Sequence, residues 1–501
     1  MDKMGRSKNP QRGAALILVL IVVFLLSALA ASMIYTTQTD ILASANYRFL
    51  TQARFTAEAG AQAAVNWIAY SLTANSDSGI NTNVYPVSDN SSPINPKEII
   101  LSSVAGAGLY PPDNSTVPGL FQTQIANLNS GSLNGLSLLP GSKVTVTAKL
   151  LSMYPLASIS GTNVYMQNWE ITSLGTVNAI PGKPAQVQVV ERITHSALPV
   201  FGEGAFGTSA GCGSLNFGGS FSTDSYDSNL GAYGGTNVSN SGGNVGTNGN
   251  LTVGGSVSIG GDLYSPNTGV GDCSAGNVDA LTVNGNSTVA VKLSSTVNYP
   301  TPKAPTTAPP LTDVINNTHN ACIPTGCTSD GQNIVLAPGT SSTPASLGNL
   351  SVSGGNVTVT LSSGYYNFNS ISFTSNATLI LNLNAARDPV VINVAGAPSL
   401  ATPISLAGSS ITDPNGKPSD LSISYAGTGT IQLAGGSSMF AVVYAPNATI
   451  DMRGTSGFYG AVVGKTVSNS GNAAIHYDRS LATKYYMPGS WHVASFTWSK
   501  Y

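Results

Sequence analysis

The longest apolar run in the chain lies near its beginning, at residues 14–34. It sits within QRGAALILVLIVVFLLSALAASMIYTTQTD (Gln11–Asp40) and carries no charge. As a helix, its 21 residues span about 30 Å, the thickness of the hydrocarbon core of a bilayer. The residues before it are basic, with Lys3, Arg6, Lys8 and Arg12 against Asp2. This pattern predicts a membrane-spanning helix whose N-terminus stays in the cytoplasm while the rest of the chain is exported.

The helical pattern continues beyond the apolar run. No Gly or Pro occurs between Gly13 and Gly60, although these residues are frequent elsewhere in the chain. Apolar residues also recur at helical spacing, at Ile41, Ala45, Phe49, Ala53 and Ala57. We therefore expect one continuous helix over residues 14–70, about 85 Å long, which leaves the membrane as an amphipathic rod.

The segment RGAALILVLIVVFLLSALAASM, followed by an amphipathic stretch containing AEAG (Ala57–Gly60), resembles the N-terminus of type IV pilin-like proteins, specifically PilX-type minor pilins. In that family a prepilin peptidase cuts after the glycine that ends the basic leader and methylates the new N-terminus. The resemblance, which covers about residues 6–70, implies cleavage between Gly13 and Ala14. It also implies that the mature helix anchors the subunit in the membrane and later packs into a filament core.

One position departs from the family pattern. Major pilins carry Glu as the fifth residue of the mature chain, and counting from Ala14 that residue is Leu18. PilX-type sequences often lack this Glu, so the resemblance implies a minor subunit of low copy number.

Two other interpretations of the opening run remain. Ala28-Leu29-Ala30 is similar to a signal-peptidase site, which would make the run a discarded secretory signal. A simple uncleaved anchor is the third interpretation. Neither requires the helix to continue past the membrane.

Residues 71–140 are rich in Asn, Ser and Pro and predict a loop-rich connection. From Gly141 three segments alternate apolar and polar residues, namely KVTVTAKLL, YMQNWEITSLGTV and AQVQVVERI. This period of two predicts antiparallel strands. By the pilin resemblance, the second half of the helix packs on this sheet, and Trp67 and Ile68 are the expected contacts.

After Phe201 the chain becomes rich in Gly, Asn and Ser, and short apolar segments echo one another. LTVGG begins at Leu251, LTVNG at Leu281 and LSVSGG at Leu350, while NATL and NATI begin at Asn376 and Asn447. Short strands punctuated by Gly and Asn predict a parallel β-helix or a stacked sandwich. The segment YPTPKAPTTAPP (Tyr299–Pro310) divides this region, as a stiff spacer or as an excursion from the stack.

A second resemblance covers about residues 375–482, where YAPNA, FYGAVVGK and IHYD are similar to the Gly-rich β domain of large PilX-like proteins. The fold class expected is α+β: a long transmembrane and amphipathic helix on a small antiparallel sheet, followed by a large all-β, parallel β-helix-like region. The expected divisions are a leader (1–13), the helix (14–70), a loop-rich segment with the sheet (71–200), a Gly/Asn/Ser-rich β region with the Pro-rich spacer (201–310), and a β-helix-like domain (311–501).

Composition narrows the class of partner. Only 8% of the 501 residues are charged, the net charge is −2, and no basic cluster lies outside the leader. Nucleic-acid binding is therefore not expected, because it requires a basic surface. Solubility through hydroxyl and amide groups suits an extracytoplasmic protein.

The four cysteines lie far beyond the apolar run. In an exported chain an even number predicts disulfides, and we favour Cys212–Cys273 and Cys322–Cys327 among the three connectivities. Free thiols are one alternative. A metal site with His319, Cys322 and Cys327 is another, but it offers three ligands where structural zinc needs four.

Chemistry-bearing motifs are few. GTSAG matches a nucleophile elbow centred on Ser209, but a Gly- and Ser-rich chain yields such a match by chance. A carbohydrate-cleaving site would need clustered acids and bases, and the nearest set is Asp451, Arg453, His476, Asp478 and Arg479. We interpret that set as a hydrogen-bonded edge that caps the last coil of the stack. DPNGKPSD (Asp413–Asp420) has calcium-loop oxygens but also Lys417 and two prolines, which favour a plain turn.

The sequence thus predicts a non-enzymatic, cofactor-free minor pilin-like subunit of a type IV pilus or type II secretion pseudopilus. Its expected partners are other major and minor pilins, the prepilin peptidase and the inner-membrane assembly platform. It would reside in a bacterial inner membrane and then in a pilus or at the cell surface, where the β region serves assembly or adhesion to an unidentified surface or carbohydrate. The alternatives are an anchored β-helix adhesin unrelated to pili and an anchored carbohydrate-active enzyme.

Overall fold

The computed structural model describes residues 11–72, 98–110, 116–133, 137–159, 164–178, 183–274, 276–282, 290–305, 308–317, 321–354, 356–374, 377–397, 400–406, 410–435, 438–454, 457–469 and 471–500. The chain divides into two compact units. Unit 1 comprises Met1–Tyr154, Met166–Ser196 and Ser490–Tyr501, and unit 2 comprises Pro155–Tyr165 and Ala197–Gly489.

The helices are α1 (Gln11–Asn66), which continues as a π-helix (Trp67–Leu72), α2 (Thr116–Ser130), and short 3₁₀ turns at Gly235–Asn237, Pro418–Asp420 and Arg479–Thr483. The strands are β1 Ile100–Ser102, β2 Ser142–Leu156, β3 Val164–Val177, β4 Ala185–Pro199, β5 Ala205–Gly207, β6 Leu215–Phe217, β7 Ser220–Tyr226, β8 Val245–Thr247, β9 Leu251–Val253, β10 Ser256–Ile259, β11 Leu263–Ser265, β12 Leu281–Thr282, β13 Ala290–Lys292, β14 Val314–Asn316, β15 Ala321–Cys322, β16 Cys327–Ser329, β17 Asn333–Leu336, β18 Ala345–Ser346, β19 Asn349–Val352, β20 Thr358–Ser362, β21 Gly364–Phe368, β22 Ser370–Phe373, β23 Thr378–Asn382, β24 Val390–Val394, β25 Ile404–Ser405, β26 Ser410–Thr412, β27 Leu421–Tyr425, β28 Ile431–Gly435, β29 Met439–Gly454, β30 Gly457–Asn469, β31 Ala474–Asp478 and β32 Tyr486–Lys500.

Unit 1 consists of α1 and α2 packed on a sheet with the order β1-β2-β3-β4-β32. β1 pairs antiparallel with β2, and β3 pairs antiparallel with β4. The three alternating segments therefore form the predicted strands β2, β3 and β4. The predicted loop-rich stretch also contains β1 and α2, and its residues 73–97 lie outside the described residues.

Unit 2 is built mainly from parallel strand pairs in which aligned residues form continuous inward-facing columns. We call one of these columns the aliphatic ladder, because every member is a buried Ile, Leu or Val. Its members, each paired with the next, are Ile315, Leu350, Ile371, Ile404, Ile431, Ile450, Val467, Leu215, Leu251 and Leu281. A second column runs beside it from Tyr366 through Ile392, Ile423, Val443, Val462, Ala205, Val245 and Leu263 to Ala290.

The strands of unit 2 do not stack in sequence order. β14 to β31 form one run of layers, which we call the second half-stack (residues 308–478). β5 to β13 form the first half-stack (residues 201–292). The two join where β30 pairs with β5 and β6, and where β31 pairs with β7. We call this contact the junction.

The Pro-rich segment Tyr299–Pro310 connects the end of the first half-stack to the far end of the second. Its first residues pack on the flank of unit 2, where Tyr299 is buried against Phe206 with ring centroids 4.6 Å apart. The Tyr444 hydroxyl donates to the Pro300 carbonyl, and the Asn447 amide donates to Thr301 Oγ1 at 3.0 Å. These contacts hold residues 299–301 on the flank of unit 2, and both interpretations of the segment, as a spacer and as an excursion, stay predictions.

The compact units differ from the divisions expected from the sequence. The boundary expected at residue 310 falls inside unit 2, because the two half-stacks share one core. The last strand was expected in the C-terminal β domain, but residues 490–500 of β32 belong to the sheet of unit 1. Both differences arise from pairings between residues that are distant in sequence.

Candidate functional site

The first half of α1 is an apolar rod with outward-facing side chains. Its most apolar stretch is 0% buried, and by length and composition the helix could cross a membrane. Phe24 is 74% exposed and Leu18 64%. Gly13 and Ala14, the predicted cleavage site, lie within the first turn of α1, while residues 1–10 of the expected leader lie outside the described residues. Such a surface is compatible with an apolar environment, either lipid or other helices.

The second half of α1 packs on the sheet of unit 1 through small residues. Ala53, Ala57, Ala61 and Ala64 are buried and repeat at intervals of three or four, which places them on one face. Two glycines allow a close approach. A Cβ at Gly175 of β3 would overlap the backbone of Ala53 and Ala57, and a Cβ at Gly60 would overlap Val144 and Ser173. The backbones of the helix and the sheet therefore lie close together at Gly60 and Gly175.

The end of the helix carries the large contacts expected from the sequence. Ile68 is fully buried and Trp67 is 5% exposed. Trp67 meets Phe121 of α2 edge to face, with ring centroids 5.3 Å apart. Ile68 and Trp67 therefore lie in the core of unit 1, between the sheet and α2.

Arg54, on the polar face of the second half of α1, contacts both its own helix and β32. Arg54 Nε donates to Glu58 Oε1 at 2.7 Å, one turn along the helix, and the Arg54 guanidinium lies 4.9 Å from the Trp498 ring of β32. Below this point α1 leaves the sheet, and a groove forms between Tyr47, Arg48, Gln52 and Phe55 on the helix and the end of β3. The second half of α1 is thus packed on the sheet of unit 1, whereas the side chains of its apolar first half are exposed.

The residues considered for catalysis are not brought together. Ser209 lies in a loop after β5, where its hydroxyl accepts from the Gly211 N–H at 3.3 Å, so the strand-turn-helix of a nucleophile elbow does not form. Asp451 pairs with exposed Arg453 in the second half of β29. His476 does not align with Asp451: its partner in β30 is Tyr459, and the partner of Tyr459 in β29 is Phe440.

His476 and Asp478 face the junction. His476 Nδ1 lies 2.7 Å from Asp224 Oδ1. Asp478 is fully buried and accepts hydrogen bonds from the N–H groups of Ser228 and Ser480 and from the Ser480 hydroxyl. Asp478 also begins a 3₁₀ turn. The expectation that this segment is an edge capping the last coil is wrong, because β31 pairs with β30 on one side and with β7 on the other.

The DPNGKPSD segment forms a turn held by its own groups. Asp413 accepts from the N–H groups of Asn415 and Lys417, and the Asn415 amide donates to Asp420 Oδ2 at 3.2 Å. Burial raises the pKa of both carboxyls, and repulsion from Asp413 contributes at Asp420. Among the described residues, no group of three or more His, Cys, Asp or Glu side chains could hold a metal ion.

The cysteines form two disulfides, Cys212–Cys273 and Cys322–Cys327, which is the connectivity favoured from the sequence. His319, the third member of the alternative metal site, lies outside the described residues. Each bridge lies within one half-stack.

Comparison with known proteins adds a partial match. The profile of a domain of unknown function, DUF7305, matches residues 303–484, which is most of the second half-stack. No curated protein matches the chain. One solved structure, the competence-associated pilin ComZ from Thermus thermophilus, aligns over 73% of this chain and 85% of its own at 12% identity. Its TM-score of 0.26 is too low for the alignment to carry an argument about this fold.

Proposed function

We propose that this protein is a minor pilin-like structural subunit of a type IV pilus or a type II secretion pseudopilus. The observation that carries the proposal is the continuity of α1. One unbroken helix joins an exposed, charge-free segment to a segment that packs closely on an antiparallel sheet through glycine and alanine residues. A secretory signal or a simple anchor has no need of this rigid continuation. The helix supports anchoring in an inner membrane and later insertion among other helices.

Unit 2 is the part presented outside the membrane. Its parallel pairings and aliphatic ladder support a parallel β-helix, a rigid body suited to display. In this proposal it contributes to assembly or adhesion, and the partners are other pilins, the prepilin peptidase and the assembly platform. The chain works without catalysis, and the buried, hydrogen-bonded position of Asp478 supports that part of the proposal.

Leu18 sets the proposed copy number. A mature N-terminus at Ala14 would be a cation, and burying it unpaired among apolar helices costs several kcal/mol. In the pilins that this chain resembles, a Glu at the fifth position offers the compensating carboxylate. Leu18 offers none, so repeated self-assembly is unfavourable and sparse incorporation beside Glu-bearing subunits is favoured.

The decisive test is N-terminal sequencing of the membrane-derived protein, with and without the prepilin peptidase. The proposal requires a methylated Ala14 that disappears when the peptidase is deleted. An N-terminus at Ala31 would instead support a discarded signal, and an intact leader would support an anchored adhesin. Quantifying the subunit in sheared filaments tests the copy number, because filaments built from this chain alone would contradict the role of Leu18.

A further inference from the structure

The junction joins residues that are far apart in sequence. The Ser228 N–H donates to Asp478 at 3.0 Å across 250 residues, and Asp224 meets His476 across 252 residues. Backbone bonds run beside them, from the Val462 N–H to the Gly204 carbonyl at 3.0 Å. Synthesis proceeds from the N-terminus, so the residues of the first half-stack are synthesised long before the strands on which they pack.

The two half-stacks differ in their apolar content. Most members of the shared core belong to the second half-stack, whose strands are mostly longer. Among its described residues the first half-stack contributes nine buried members, namely Ala205, Leu215, Phe217, Phe221, Val245, Leu251, Leu263, Ala280 and Leu281, of which the two Phe rings stack with centroids 4.0 Å apart. A Gly/Asn/Ser-rich segment with short strands and the smaller share of the core depends more on the layer beneath it for stability.

No covalent link crosses the junction except the chain itself. Cys212–Cys273 closes a loop inside the first half-stack, and Cys322–Cys327 closes the short turn between β15 and β16 inside the second. The bridges therefore stabilise each half-stack without fastening one to the other. The buried or partly buried polar contacts between them include Asp478 and the Asp224–His476 pair. The Asn469 amide also donates to the Gly218 carbonyl at 2.9 Å, and the Tyr477 hydroxyl donates to the Phe201 carbonyl at 2.8 Å.

We propose that residues 201–292 form a module that folds after the second half-stack, on the completed edge of β30 and β31. The same module unfolds before the second half-stack does, as one cooperative unit. Asp478 fastens the module, because it is a buried carboxylate that receives the Ser228 N–H from the module and the Ser480 N–H from its own side. When the module opens, β30 and β31 become a free strand edge in the domain matched by the DUF7305 profile.

Native-state hydrogen exchange of the full chain, read by mass spectrometry, tests this proposal. Peptides from residues 205–226 and 245–265 should exchange together, faster than peptides from residues 390–394 and 421–425. Asp478→Asn should accelerate the first group by roughly tenfold to a hundredfold, because a neutral amide oxygen accepts the same N–H groups more weakly than a carboxylate, and it should leave the second group unchanged.

Asp330→Asn is the matched control. Asp330 also accepts three hydrogen bonds, from Gln332 and Asn333, but within the second half-stack. It should leave residues 205–226 protected. If Asp478→Asn does not fold, Asp224→Asn weakens the same junction at a partly exposed site. Equal exchange in both half-stacks, or equal acceleration of both by the junction variants, would overturn the proposal.

Discussion

Replacing Glu203 with Gln should stabilise unit 2, and the gain should grow as the pH rises. Glu203 lies where the first half-stack begins, next to Tyr299 and Tyr477. Burial raises the pKa of Glu203 from 4.5 to about 7. Burial also raises the pKa of both tyrosines, with repulsion from Glu203 as the second cause.

The sign follows from proton linkage. Below pH 4.5 the carboxyl of Glu203 is protonated in the folded and unfolded chains, and it brings no electrostatic cost. Between pH 4.5 and 7 the unfolded chain loses this proton while the folded chain keeps it, so stability falls as the pH rises. At about 1.4 kcal/mol per pKa unit, the full cost above pH 7 is at most about 3.5 kcal/mol. Partial solvent contact of the side chain lowers this value.

Denaturant unfolding of the full chain in detergent, followed by tyrosine fluorescence at pH 4 and pH 8, measures the effect. Glu203→Gln should match the original chain at pH 4 and exceed it by about 1 to 3 kcal/mol at pH 8. Glu98→Gln, at an exposed site paired with Lys149, serves as the control. A gain that is the same at both pH values, or a loss at pH 8, would refute a buried, costly charge.

Three further predictions concern packing and bridges, each measured by denaturant unfolding. Gly175→Ala should destabilise unit 1 by about 1 to 3 kcal/mol, because its Cβ overlaps α1 at Ala53. Ile431→Ala in the aliphatic ladder should cost unit 2 about 2 to 5 kcal/mol. Cys273→Ser should cost about 4 kcal/mol and Cys327→Ser about 2, because the first bridge closes the longer loop; equal losses would contradict loop closure as the cause.

The local features of this fold could be predicted from the sequence, because local rules determine them. The absence of Gly and Pro after Gly13 predicted the long helix, which the structure extends to Leu72 with a final π-helical turn. The echoes also had a physical basis. Leu251, Leu281 and Leu350, the first residues of three echoes, are all members of the aliphatic ladder.

The order of the layers could not be predicted in the same way. Val467 and Leu215 are adjacent in the ladder, but nothing in their local sequence distinguishes this pairing from one with any other short apolar strand. The partners of Asp478 had the same limitation, since Ser228 lies 250 residues earlier. The similar patterns of these strands predict that they stack in parallel. The order in which they stack depends on the whole set of turns and long-range contacts.

The last strand gives a test that separates the two units. Trp491 of β32 packs on the core of unit 1 and stacks on His195 with ring centroids 4.7 Å apart. A chain ending at Gly489 would lose this contact and leave β4 as a free edge. We expect hydrogen exchange to increase in β3 and β4 while residues 390–394 and 421–425 remain protected. Trp491→Ala should show a smaller change in the same direction. If β4 stays protected after truncation, β32 is peripheral and the sheet of unit 1 is complete without the strand that follows unit 2.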